Sequence, residues 1–216
     1  KLRWCVEDLT LEANQLGVTF EYKTEATADA IADRKPYAVV IAAGGAPLRP
    51  RSIPGIAQPH VYTAPEILTG KVTLTGKKVA VIGSGLTGLE TTEALNEAGN
   101  EVTVVEMADE IAPGAWFQFV DDSMSRIKPY GAAFMLNTAL CAIAEDHITV
   151  MDMKKKRRAF IPADAVVLAM GVRPNNALVS ALEEKGVRAV AVGDAAQSGT
   201  IGHAVHDAFE KAVNLW

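Results

Sequence analysis

The segment Val79-Ala-Val-Ile-Gly-Ser-Gly-Leu-Thr-Gly-Leu-Glu90 decides the fold of this chain of 216 residues. Four apolar residues lead directly into Gly83-x-Gly85-x-x-Gly88, the spacing that joins a buried strand to a helix through a tight turn. A helical stretch then runs to a glycine at position 99, and the apolar strand Val102–Val105 follows it. The segment therefore predicts a βαβ unit.

Each glycine of this turn has a separate physical role. Gly83 permits the sharp turn, Gly85 leaves no Cβ in the way of a pyrophosphate, and Gly88 lets the helix pack closely on the strand. The phosphates would meet free N–H groups at the positive end of the helix. The predicted phosphate-binding residues are Gly83, Ser84, Gly85, Leu86, Thr87 and Gly88.

The second strand of the unit ends at an acidic residue, Glu106. A carboxylate at this place can accept hydrogen bonds from the hydroxyls of the adenosine ribose. It would repel the 2′-phosphate of NADPH, and the next four residues, Met-Ala-Asp-Glu, supply no arginine to neutralise one. We therefore predict that NADH binds in preference to NADPH. Glu90, two residues beyond the turn, is either an outward polar side chain or a residue close to the nicotinamide.

Composition excludes several classes of function. The 21 Lys and Arg residues against 26 Asp and Glu residues give a formal net charge of −5, so nucleic acid and membrane surfaces are not expected partners. No apolar stretch approaches the roughly 20 residues of a membrane span, and a cytoplasmic location is expected. Cys5 and Cys141 lie too far apart for a CxxC motif, and His203 and His206 have no evident third ligand, so no metal site is predicted.

The residues before the βαβ unit predict a helix over residues 3–16 and a strand over 18–22. The apolar run 37–43 ends at two glycines and predicts a buried strand that enters a sharp turn. Five prolines lie between positions 47 and 65, which indicates a connection without regular ladders.

The residues after the βαβ unit predict a helix near 116–130 and then an antiparallel meander of short strands beside the parallel sheet. The basic run 154–158 is interpreted as a solvated hairpin tip. A helix near 176–185, a strand over 187–192 and a last helix over 201–215 complete the chain. The predicted strands of the meander are 134–137, 139–144, 147–153, 159–161 and 165–169.

Four segments in order resemble the flavoprotein reductases with two dinucleotide-binding domains. The greatest similarity is to the carboxy-terminal part of the NADH:flavin oxidoreductase / 2,4-dienoyl-CoA reductase / enoate reductase family. The segments are Val39-Val-Ile-Ala-Ala-Gly-Gly-Ala-Pro47, Val79–Glu90, Ala165-Val-Val-Leu-Ala-Met-Gly-Val-Arg-Pro174, and Val192-Gly-Asp-Ala195 with the following Gly199–His206.

The resemblance implies which residues hold the two cofactors of such an enzyme. Asp194 would bind the ribityl chain of FAD, and the helix that opens at Thr200 and Ile201 would point at the isoalloxazine. Glu90 and Gly171 would lie near NADH. The cofactor-binding residues that the resemblance adds are Gly44, Gly45, Glu90, Gly171, Gly193, Asp194, Thr200 and Ile201.

The sequence also departs from the pattern of this family. No GxGxxG precedes residue 44, so the FAD site is expected to be incomplete in this chain. An FMN-binding barrel and a cysteine cluster for an iron–sulfur centre would belong to a longer parent, and the first residue, Lys1, suggests such a parent. The fold class expected is α/β: a Rossmann-like parallel sheet with an antiparallel meander, plus incomplete FAD-domain segments. Residues 1–70 and 171–216 would be parts of a flavin domain, and 71–170 an NADH-binding domain.

The function expected is that of an NADH:flavin oxidoreductase, in which hydride passes from NADH to FAD and on to a distant FMN or iron–sulfur centre or acceptor. No residue of this chain is predicted to be catalytic in the substrate step, and the fragment is expected to be weakly active or inactive. The alternatives are a non-catalytic NADH-binding or assembly module, a glutamate-synthase small subunit, or a ferredoxin reductase. The expected partners are the amino-terminal domains of the parent, or a second copy that covers an exposed half-domain.

Overall fold

A computed structural model describes residues 2–215 and divides them into two compact units. One unit joins the residues up to Ile41 with Ala177–Val190, and the other joins Ala42–Asn176 with the residues from Ala191 onward. The three-segment division around a flavin domain, with bounds at residues 70 and 170, stays a prediction.

The described part of the chain contains twelve short strands, as apolar runs bounded by Gly and Pro predict. In chain order they are β1 (Val39–Ile41), β2 (Gly45–Pro47), β3 (Val61–Thr63), β4 (Lys78–Ile82), β5 (Glu101–Val105), β6 (Ala133–Met135), β7 (Thr138–Ile143), β8 (His147–Asp152), β9 (Arg157–Pro162), β10 (Ala165–Leu168), β11 (Val172–Pro174) and β12 (Ala189–Ala191).

Seven α-helices accompany these strands in residues 2–215. They are α1 (Leu2–Gln15), α2 (Ala28–Ala32), α3 (Ala64–Leu68), α4 (Leu86–Glu97), α5 (Phe117–Ile127), α6 (Ala177–Glu183) and α7 (Ile201–Val213).

The larger unit is built on a parallel five-stranded sheet in the order β3-β10-β4-β5-β6. Its central strands are buried on both faces, which is why they are runs of Val, Ile and Ala rather than alternating patterns. Val79↔Val102 and Ile82↔Val105 set the register of β4 against β5. The carboxyl ends of β4, β5 and β10 consequently lie side by side.

Different layers cover the two faces of this sheet. On one face the buried residues of β4, β5 and β10 pack with Leu95 of α4 and Ala64 of α3. On the other face they pack with Ile143, Ile148 and Val150 of the antiparallel sheet β7-β8-β9. The α/β class, with a parallel sheet and an antiparallel meander, is confirmed. The order of layers is antiparallel sheet, parallel sheet and helices.

The smaller unit has few buried side chains. Its two-stranded sheet pairs β1 with β12, and the N–H of Val39 donates to the carbonyl of Arg188 at 2.9 Å. Leu182 of α6 is fully buried. An ion pair between Lys185 and Asp29, at 2.5 Å, links the ends of α6 and α2.

The structure corrects three expectations about the elements. Residues 18–22 form no strand, because no described segment pairs with them; the rings of Phe20 and Tyr22 stack at 5.7 Å instead. The proline-rich stretch is not only a connection, since it contains β3, an edge strand of the parallel sheet, and α3. Only β7, β8 and β9 form the meander, while β6 and β10 belong to the parallel sheet.

Two buried asparagines near the end of α4 have opposite hydrogen bonding. The amide of Asn96 is 2% exposed and has no hydrogen-bond partner among the described residues. The amide of Asn100 accepts from Lys77 N–H at 3.1 Å and donates to the carbonyls of Leu74 and Leu95, both at 2.8 Å. A buried amide without partners loses its hydration and gains nothing in return.

We therefore expect Asn96→Leu, which has a similar volume, to raise the free energy of unfolding by about 1–3 kcal/mol. Asn100→Leu is the matched control, and it should lower that free energy by about 3 kcal/mol because three bonded groups lose their partner. Urea denaturation followed by circular dichroism measures both. A loss of stability in Asn96→Leu would contradict this account of the unpaired amide.

Candidate functional site

The phosphate turn has the geometry that its glycine spacing predicts. Gly83 adopts φ +103°, and a Cβ built there would lie 2.4 Å from the carbonyl oxygen of Ala169. A Cβ on Gly88 would lie 2.2 Å from the carbonyl oxygen of Gly83. A Cβ on Gly85 would meet nothing within 4 Å, so the turn is open where a phosphate would approach. Helix α4 begins at Leu86, and its first N–H groups face this opening.

Glu106 lies beside this turn and is bonded to it. Its Oε2 accepts from the N–H and from the hydroxyl of Ser84, each at 2.8 Å. Its Oε1 accepts from Ala108 N–H at 2.8 Å. The hydroxyl of Ser84 also accepts from Ala112 N–H at 3.1 Å. The carboxylate of Glu106, which is predicted to bind the ribose, therefore also links the phosphate turn to the loop that follows β5 through hydrogen bonds.

These bonds decide the ionisation of Glu106. Partial burial would raise the pKa of this carboxyl, but the hydrogen bonds from Ala108 and Ser84 outweigh it and lower the pKa below its ordinary value. Glu106 therefore carries a full negative charge at neutral pH, as a group that rejects a 2′-phosphate requires.

A cleft of about 800 Å³ opens at the carboxyl ends of β4 and β10. Its walls are the phosphate turn at Gly85–Thr87, the loop 112–116, the end of β10 with the start of β11, and residues 198–200, which lead into α7. This volume lies in the range of small-molecule and cofactor sites, and crevices of α/β sheets bind ligands at this edge. The cleft thus brings together the predicted phosphate turn, Gly171 and Thr200.

Two aromatic side chains of the cleft were missed by the sequence reasoning. Trp116 precedes α5 and is 73% exposed, and Phe119, one turn later, is 59% exposed. Large exposed aromatic residues at a cleft mouth are suited to contact with the flat rings of a ligand. Their sequence signal is weak, since a Trp and two Phe at the start of a polar helix are also typical of a core-facing turn.

The glycines that follow β1 and β10 have structural reasons for the absence of a side chain. A Cβ on Gly45 would lie 2.7 Å from Val172, because β2 and β11 pair closely there. Gly44 and Gly171 have positive φ and open space around them. The structure thus explains Gly45 by strand packing, whereas the role of all three in cofactor binding stays a prediction.

The Gly193-Asp194 turn is held by side chains of α7. Asp207 accepts from Gly193 N–H at 2.9 Å, and it pairs with Lys211, which donates to the carbonyl of Ala191 at 2.8 Å. Asp194 accepts from Gly199 N–H at 3.0 Å. The hydrogen bonds from Lys211 and from Gly193 lower the pKa of Asp207.

The start of α7 has the geometry of a capped helix. Thr200 is its N-cap, and the hydroxyl of Thr200 accepts from His203 N–H at 3.3 Å. Ile201, the first residue of the helix, is 69% exposed. The ring of His203 in turn accepts from Thr200 N–H at 3.4 Å. His203 is thereby used in a capping box, and in residues 2–215 no group of three or more His, Cys, Asp or Glu side chains is placed to hold a metal.

Some predicted features remain outside the cleft. Glu90 is exposed on α4 and does not line it, so its position near the nicotinamide stays a prediction. Cys5 and Cys141 are free thiols. Among the described residues, no helix has both the length and the apolar character of a membrane span.

The sequence matches the pyridine nucleotide-disulphide oxidoreductase family over residues 9–198. The chain therefore belongs to this family of FAD- and NAD(P)H-dependent oxidoreductases. The glycine turn and Glu106 fit the dinucleotide of such enzymes, since the open position at Gly85 and the helix terminus behind it suit a pyrophosphate.

Individual relatives support the same class. The bilirubin reductase of Mediterraneibacter gnavus is 35% identical over 202 residues, which are 93% of this chain and 31% of that protein. The NADH oxidase of Thermoanaerobacter brockii is 34% identical over 220 residues, 98% of this chain and 33% of that protein. A solved 2-naphthoyl-CoA reductase superposes with a TM-score of 0.84 at 31% identity, over 94% of this chain and 31% of that one. The chain spans about a third of the length of these relatives.

The glycine geometry separates the needs of folding from those of binding. We expect Gly88→Ala to lower the free energy of unfolding by about 2 kcal/mol or more, because its methyl group would overlap a backbone carbonyl. Gly85→Ala, the matched control in the same turn, should change it by less than about 0.5 kcal/mol. Urea denaturation tests both, and equal losses in the two variants would contradict the assignment.

Proposed function

We propose that this chain is the NADH-binding part of a flavin-dependent oxidoreductase. The observation that carries the proposal is that one cleft has both the phosphate turn at Gly85–Thr87 and Thr200, the N-cap of α7, in its walls. When bound, the nicotinamide and the flavin supply hydride transfer, and the protein supplies binding and orientation.

The residues that line the cleft, and Glu106, Asp194 and Asp207 outside its lining, have distinct tasks in this proposal. The N–H groups at the start of α4 bind the pyrophosphate, and Glu106 accepts from the ribose. Trp116 and Phe119 cover apolar ring surface and exclude water from the cleft mouth. Asp207 holds the backbone of Gly193 so that Asp194 and Thr200 face a flavin.

We also propose that the parent enzyme belongs to the enoate reductase group, with an FMN and an iron–sulfur centre outside this chain. Reductases of bilirubin and of 2-naphthoyl-CoA are about three times as long as this chain, which leaves room for such domains in a parent of similar length. An activated alkene or a related acceptor would be reduced at that distant centre.

The charge of Glu106 predicts the choice of dinucleotide. The chain should bind NADH at least about tenfold more tightly than NADPH, because the 2′-phosphate would meet a fixed carboxylate. Glu106→Gln should reduce that preference, and Gly85→Ala should weaken NADH binding while the fold is kept. Isothermal titration with each dinucleotide measures these affinities. Equal or tighter binding of NADPH to the unaltered chain would overturn the prediction.

Flavin binding separates an oxidoreductase from a non-catalytic NADH-binding module. Titration with FAD should perturb the flavin absorbance spectrum weakly with this chain and strongly with a parent chain that contains the preceding GxGxxG segment. Asp194→Ala should reduce binding in the parent, and Asp146→Ala, an exposed aspartate of the β7–β8 turn, is the control. A parent that binds NADH but no flavin would be the non-catalytic module.

A further inference from the structure

We infer that Ser84 is a positioning residue whose hydroxyl holds Glu106 in one orientation and thereby sets the preference for NADH. The inference rests on the proposed function, since it concerns how the same site reads the adenosine ribose. It assigns a role to a side chain that the glycine pattern leaves unspecified.

Ser84 occupies the centre of a small hydrogen-bond network. Its side chain is fully buried, although the residue lies in a turn whose neighbour Gly85 is exposed. The hydroxyl donates to Glu106 Oε2 at 2.8 Å and accepts from Ala112 N–H at 3.1 Å. One hydroxyl thus joins the phosphate turn to both ends of the loop 106–112.

The acceptor capacity of Glu106 is largely used by these contacts. An ionised carboxylate has about four acceptor sites. Oε2 takes two donors from Ser84, and Oε1 takes one from Ala108. The backbone N–H of Met107 also stabilises the charged form, so at most one acceptor position remains for the ribose.

The same contacts keep the charge in place. A glutamate without hydrogen-bond partners could change its side-chain rotamer and place its charge in water. Glu106 would have to give up charge-assisted hydrogen bonds from two residues to do so, which costs more. The 2′-phosphate of NADPH would therefore be repelled by a carboxylate that stays in place. The preference for NADH over NADPH then depends on Ser84 as well as on Glu106.

The test is Ser84→Ala, which deletes the hydroxyl and keeps the backbone N–H. We expect NADH binding to weaken about tenfold and NADPH binding to change less than about threefold, so that the ratio of the two dissociation constants falls. The pKa of Glu106, followed by carbon-13 NMR of its carboxyl group, should rise because a donor to the charged form is lost.

The control is Thr92→Val, which removes another fully buried hydroxyl, one that donates to the carbonyl of Gly88 at 2.8 Å. This variant should lose stability while the ratio of dissociation constants and the pKa of Glu106 stay unchanged. Ser84→Cys, of similar shape and with a weak donor, should fall between the unaltered chain and Ser84→Ala.

Distinct outcomes would overturn the two proposals. Selective NADH binding by the unaltered chain, with the same ratio in Ser84→Ala, would overturn the role of Ser84 alone. Equal weakening of both dinucleotides with an unchanged pKa of Glu106 would show a merely structural serine and would overturn it too. Failure of the unaltered chain to bind either dinucleotide would overturn the proposed function and this inference together.

Discussion

The contact on which the larger unit depends is the approach of Gly88 to the carbonyl of Gly83, which leaves no room for a side chain. This contact seats the first turn of α4 against the end of β4, and the missing side chain of Gly83 lets the carbonyl of Ala169 approach from the end of β10. The helix terminus is thereby fixed over the carboxyl edge of the sheet. Every group of the candidate dinucleotide site is positioned relative to that terminus.

The order of strands then determines what surrounds the turn. Because β4 lies between β10 and β5, the segment after β10 forms one wall of the cleft, and Glu106, after β5, lies on the other side of the turn. The segment after β10 lies about 85 positions from the turn in the chain, and Glu106 lies about 20 positions from it, yet parallel pairing brings these strand ends together. The antiparallel sheet β7-β8-β9 contributes core packing rather than cleft residues.

Sequence reasoning succeeded where the signal is local. The β4-α4-β5 unit and the helix after Thr200 follow from glycine spacing and caps within a few residues. The hairpin predicted at 154–158 is present, but its turn covers 153–156, and Arg157 and Arg158 already belong to β9. It failed for residues 18–22, which have the composition of a strand but no partner strand among the described residues. It also failed for β3, because its partner β10 is about 100 residues away in the chain and their pairing stabilises a strand in spite of the prolines around it. Trp116 and Asp207 were missed because their roles arise from tertiary placement and leave no local pattern.

Glu106 shows why structure and specificity are coupled at this site. Its carboxylate fastens the phosphate turn to the loop 106–112 and also presents the charge that faces the ribose. Replacement of Glu106 by a smaller or basic residue would remove the acceptor for Ser84 N–H and for its hydroxyl, so a change of dinucleotide preference made at this position alone would also loosen the turn. Because Ser84 is fully buried, its unpaired donors could not turn to water. A change at position 106 alone therefore leaves the hydroxyl of Ser84 without its acceptor, and a second change at position 84 would remove that unpaired donor.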